Sequence, residues 1–285
     1  MPNPIYTFPG PHGMNNVLGH RQMVCSSLSP TPQASPRPKP QPKLGNGAFP
    51  HIDRRDFETT RDERIVDPGL MNQSTGSLCG PASFLNILAR NRPGDYYNFL
   101  TTLYDTGEAH VGNFRVKPGS DCRNITLKHL KAADWVGMAS IRDSENAFFD
   151  YDDEDDAFAG ITLPHELAGW FKKAGFKVEA EVANVVLARG ESYLRQADAL
   201  RKQGCEICLF INADMLTAGK LTPRSHPFYI PNHWVVLMSD VTFAPGKVNF
   251  EVFTWGQGDY PVPMSPPCTP EAIYDNFFGF IAVRP

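Results

Sequence analysis

No stretch of this chain approaches the ~18 consecutive apolar residues needed to span a bilayer, and its amino terminus has no charged segment followed by an apolar run. Both absences lead us to expect a chain made in the cytoplasm without a signal peptide and without a membrane span. A charge excess of either sign is lacking too: 27 Lys and Arg stand against 31 Asp and Glu, a net charge of −4. With no basic stretch interleaved with aromatics, nucleic acid is not an expected partner. Cysteine is sparse, six residues without framework spacing, which argues against a disulfide scaffold and for free thiols in a reducing compartment. No internal repeat is visible.

Motifs for metals and cofactors are incomplete. Cys205 and Cys208 have C-x-x-C spacing but no second pair, and Gly204-Cys-Glu-Ile-Cys-Leu-Phe-Ile211 reads as a buried strand, so both are expected to be structural. His165-Glu166 follows the helix-start signal Thr162-Leu-Pro164, and one His with one Glu is no zinc motif. The acidic run from Asp150 to Asp156 lacks the glycine and terminal glutamate of a calcium loop and reads as a solvated loop. Neither a cofactor nor a metal is expected.

Two regions differ sharply in composition. Residues 1–50 are rich in Pro, Ser, Gln and Gly, as in Ser29-Pro-Thr-Pro-Gln-Ala-Ser-Pro-Arg-Pro-Lys-Pro-Gln-Pro42. Such a segment cannot bury enough apolar surface to fold alone, so it is expected to be a disordered, polyproline-like leader or partner-binding arm. Residues 51–285 hold most of the aromatic residues and suffice for one core.

Within that body the chemistry concentrates at Cys79. The helix expected over residues 80–90 carries Phe84, Leu85 and Leu88 on one side, and Pro81 is tolerated only in a first turn. Cys79 therefore stands at the helix start, where unpaired N–H groups and the helix dipole favour a thiolate and should lower its pKa. Gly80 would let a substrate backbone approach. Far downstream His233 opens the apolar run His233-Trp-Val-Val-Leu-Met238, and a histidine brought beside the thiol would complete its activation. Gln73, six residues before Cys79, could join the Cys79 N–H as a donor to a developing oxyanion.

Gln73, Cys79 and Gly80 ahead of a helix, then His233, then Thr254-Trp255-Gly256, resemble the papain-like cysteine peptidase superfamily. The Cys-Gly-Pro-Ala and His-Trp-Val-Val-Leu patterns are also similar to those of bacterial papain-fold proteins that include leader peptidases and secreted effectors. The similarity covers four short stretches within residues 70–260. It implies an α+β fold, with a helical subdomain carrying the nucleophile packed on an antiparallel sheet carrying the histidine, and Gln73 as oxyanion donor. It further implies an amide-cleaving cysteine hydrolase acting on a protein, peptide or peptidoglycan, and is compatible with an effector or toxin exported by a specialised secretion system.

One position departs from the pattern. Aligning on Trp-Gly puts Phe253 where papain-like enzymes have the asparagine that orients the histidine. A hairpin symmetric about Ala244-Pro-Gly-Lys247 would set His233 opposite Gly258, near Gln257 and Asp259, whereas a bulge would bring Thr254 instead. Gln257 and Thr254 rank as third-residue candidates above Asp259, with Asp240 lower. The remaining order reads as helices at 94–106, 123–137, 163–174 and 191–203, and strands at 176–183, 205–212, 233–243, 248–254 and 277–283. Two other functions use the same residues: a transglutaminase or glutamine deamidase type of acyl transfer, and a catalytically inactive binding module.

Overall fold

The computed structural model describes residues 47–74, 77–145, 161–216, 230–262 and 269–285. Most of the proline-rich leader and the whole acidic run therefore lie outside the described residues, as do Cys25 and Cys268. The packed body already includes Phe49, which is fully buried and stacks at 6.1 Å on Tyr104, so it begins before residue 51.

The helices are α1 (Arg54–Val66), α2 (Cys79–Asn91), α3 (Pro93–Thr106), the single turn α4 (Ser120–Arg123), α5 (132–145), α6 (Pro164–Lys173), α7 (Glu191–Lys202) and α8 (Pro270–Asp275). The strands are β1 (Ala109–Val111), β2 (Phe114–Val116), β3 (Lys177–Glu181), β4 (Glu206–Ile211), β5 (His233–Leu237), β6 (Thr242–Ala244), β7 (Lys247–Thr254), β8 (Gln257–Val262) and β9 (Phe277–Arg284). β1 and β2 form a hairpin, and the other seven strands form an antiparallel sheet in the order β3-β9-β4-β5-β7-β6, with β8 also on β7. The fold is α+β.

Alternation along the central strands divides the interior. Cys208, Phe210, Trp234, Val236 and Phe253 face a helical core built on α2, α3, α5 and α6, while Ile207, Leu209, Val235, Leu237 and Val252 face a second core closed by α7 and α8. β5 is buried at every residue, which is why it reads as a continuous apolar run. In the helical core Phe84 of α2 meets Phe114 and Phe171 at 5.3 and 5.2 Å, and each such side chain removed from water contributes about 1.5–3 kcal/mol. Among the described residues no helix is long and apolar enough to cross a membrane.

Several elements differ from the sequence reading. The helix expected over 123–137 is displaced to 132–145, because the Asn124 side-chain amide donates to the Ser120 carbonyl at 2.8 Å and closes the single turn of α4. Within α5, residues Trp135–Ala139 widen to a π-helix, with Gly137 pressed so closely on Leu85 that a Cβ there would lie 2.8 Å from its Cδ1. α1 is missed by apolar periodicity because its sequence, RRDFETTRDERIV, is mostly charged; its one local signal is Asp53, which accepts the Arg55 and Asp56 N–H groups.

Candidate active site

Cys79 is the first residue of α2 and Pro81 the third, the arrangement a proline without a donor permits. Gly80 packs against the side chain of Thr162, so close that a Cβ would collide with its Oγ1, Cβ and Cγ2. The residue is small enough to admit Thr162. Thr162 is itself fully buried; its carbonyl accepts the Trp234 indole N–H at 2.8 Å and its hydroxyl accepts from Arg142 at 3.4 Å. Thr162 thus ties the start of α2 to β5.

The backbone N–H groups of Trp234 and Gly80 lie close enough to the Cys79 sulfur to favour its thiolate form. That sets Cys79 beside β5, one peptide past His233. Along β5 the Trp234 side chain turns into the helical core, and His233 takes the other face. There its ring stacks on Trp255 at 5.1 Å, and its Nε2 pairs with Thr254 Oγ1 at 2.8 Å. That bond occupies Nε2.

Thr254 therefore holds the place at the imidazole for which Thr254 and Gln257 competed. Met238–Val241 bulges out of the ladder, with the Met238 and Ser239 N–H groups both directed to the Glu251 carbonyl at 2.8 and 3.4 Å. The register consequently slips by two residues: β6 pairs Thr242 with Asn249, yet Leu237 of β5 lies opposite Val252 instead of Thr254. Gln257 is exposed and sits across a two-residue turn from Thr254. Asp259 is exposed on β8, and Asp240 is bound by Arg201 at 2.6 Å on the outside of the bulge. Neither reaches His233 in this arrangement.

The turn between β7 and β8 is strained. Its central residues, Trp255 and Gly256, have φ of 46° and 77°, as a type I′ turn demands. Glycine takes that conformation freely; tryptophan does so at a cost of about 1–2 kcal/mol. In that turn the indole lies over His233.

Gln73 stands in a short loop held on two sides. The Asn72 N–H donates to Asp134 Oδ2 at 3.3 Å, and the Asn72 side chain lies against Gly256, where a Cβ would come within 3.1 Å of it. Ser74, just beyond Gln73, has φ of 54° and donates its N–H to Asn72 Oδ1 at 2.8 Å. Gln73 is 6 % exposed, and no described residue bonds its Oε1. An amide oxygen buried in that way costs about 1–3 kcal/mol, which gives the side chain no structural reason to be polar.

Electrostatics reverse one expectation. Burial pushes the Cys79 thiol up, and the nearby backbone N–H groups and the charge of Arg142, which act downward, do not offset it. Burial likewise lowers His233 to about 4. Cys79 is 4 % and His233 5 % exposed, so the resting site holds a neutral thiol and a neutral imidazole in place of an ion pair.

Other candidates resolve structurally. Cys205 contributes to the second core and Cys208 to the helical core, so the sheet separates the C-x-x-C pair; burial raises both thiols, Cys208 strongly. Glu166 accepts the Leu163 N–H at 2.7 Å and caps α6. Comparison with protein-family models, with curated proteins and with solved structures finds no match for the chain.

Proposed function

We propose that this chain is a papain-like cysteine hydrolase that cleaves an amide bond by a Cys79–His233 mechanism. The observation that carries the proposal is geometric: Thr254 Oγ1 pairs with His233 Nε2 at 2.8 Å, at the start of the strand whose Trp234 indole N–H binds Thr162, the residue packed on Gly80 beside Cys79. Thr254 takes the orienting part that asparagine has in the papain-like pattern. Because both groups are neutral at rest, His233 acts as a general base, accepting the thiol proton as the sulfur bonds to the carbonyl carbon. Gln73 and a backbone N–H at the helix start steady the oxyanion, His233 returns the proton to the leaving amine, and water releases the acyl group. Gln73→Ala should lower turnover about 100-fold with little effect on folding.

The test is acetylation of the full-length protein by p-nitrophenyl acetate, read by peptide mass spectrometry at each cysteine. Cys79 should acetylate faster than Cys122, Cys205 and Cys208 and faster than a free cysteine peptide, and His233→Ala should remove the difference. A Cys79 no more reactive than its buried neighbours would end the enzyme reading and leave a binding module. Among acyl transfers, ammonia release or cross-linked products would identify a deamidase or transglutaminase in place of a hydrolase.

A further inference from the structure

The oxyanion loop is gripped from outside the site. Arg64 of α1 and Asp134 of α5 form a two-point ion pair, Nε to Oδ1 at 3.0 Å and Nη2 to Oδ2 at 2.8 Å, with side chains 4 % and 1 % exposed. Replacing such a buried pair with well-packed apolar residues is often neutral or stabilising, so stability alone does not account for it. What an apolar pair cannot do is accept a hydrogen bond. Asp134 Oδ2 accepts the N–H of Asn72, the residue before Gln73.

Asn72 in turn joins two otherwise separate parts. Its side chain caps Ser74, where the backbone is left-handed, and lies against Gly256 in the turn whose tryptophan covers His233. Gln73 is thus bracketed by a residue tied to the ion pair and a residue held in strain, and its own Oε1 has no described partner to hold it. We propose that Arg64, Asp134 and Asn72 are positioning residues that set the Gln73 amide relative to the His233 turn. The inference rests on the hydrolase reading above.

A positioning role separates two reactions of the same sulfur. Acetylation by p-nitrophenyl acetate passes through an oxyanion; alkylation by iodoacetamide forms an S–C bond with loss of iodide and passes through none. In Asp134→Asn the amide would turn its NH2 either to Arg64 or to the Asn72 N–H, and the bracket opens. Acetylation of Cys79 should fall about tenfold while iodoacetamide alkylation stays within about twofold of wild type. In the double variant Gln73→Ala/Asp134→Asn, acetylation should be no slower than in Gln73→Ala alone, since Asp134 acts through Gln73. If Asp134→Asn fails to fold, Asn72→Ala, which leaves the ion pair intact, takes its place with the same expected selectivity. Equal loss of both reactions, or losses that multiply with Gln73→Ala, would overturn the positioning role and leave the hydrolase standing. A wild-type Cys79 that is not acetylated at all would overturn both.

Discussion

The two walls of the candidate site are built by different means. The cysteine wall is mostly local: a helix start and a proline in the first turn place the sulfur within a few residues of sequence, and only the fit of Gly80 to Thr162 is long-range. The histidine wall is assembled at long range, from a bulge at Met238–Val241, a two-residue register slip and a strained Trp255-Gly256 turn. Packing without slack holds Cys79, whereas a left-handed turn and one hydrogen bond hold His233. The first wall should fail by overpacking and the second by loss of alignment.

The largest effect should come from acid. Above pH 6.5 His233 is neutral in both folded and unfolded chains; between 6.5 and about 4 only the unfolded chain takes the proton, so stability falls as pH falls through that window and levels off below it. The loss is about 3 kcal/mol, and denaturant unfolding of His233→Gln against wild type should show a difference that closes by that amount from pH 7 to pH 4. A pH-independent difference would mean that His233 is not buried neutral.

Gly80→Ala, on the cysteine wall, should cost about 2–3 kcal/mol, because the new Cβ lands on Thr162. Pairing it with Thr162→Ala should recover part of that loss in a double-mutant cycle, and simple additivity would place the strain elsewhere. Thr254→Val, on the histidine wall, removes one hydrogen bond and should cost about 1–2 kcal/mol in thermal unfolding. Its effect on Cys79 acetylation should exceed that of Gly80→Ala once both variants are compared well below their melting temperatures, with Thr254→Ser restoring the rate. Smallest in stability is Trp255→Gly, where relief of the left-handed strain and loss of the stacked ring nearly cancel, to within about 1 kcal/mol. The same variant should hydrate the imidazole and raise the His233 pKa from about 4 toward its ordinary value, measurable from ring proton shifts.

Legibility follows the same division. The α2 start was readable because Cys79, Pro81 and the apolar spacing are contiguous, and α3, α6, α7 and β4 carry similarly local patterns. α1 was not, since its buried face is Phe57, Thr60, Arg61 and Arg64, and only the tertiary ion pair with Asp134 makes an arginine a core residue. The β7–β8 turn was hidden by its own strain: Trp-Gly is a poor type I′ sequence, and the dipeptide reads as a motif end and not as a turn. From sequence both Thr254 and Gln257 remain open as partners of His233, because register depends on whether a bulge intervenes, and Met238-Ser239-Asp240 has no obligatory bulge signal.

By itself the sequence determined the helix that begins at Cys79 and the apolar strand that begins at His233, because each depends on neighbours along the chain. Tertiary structure alone decided that Thr254 and not Gln257 meets the imidazole, that Gly80 serves Thr162, and that the thiol and imidazole rest uncharged. Hydrogen-bond partners and solvation are set by what folding brings across the sheet, and a helix dipole that favours a thiolate in an exposed turn is outweighed once the same turn is buried.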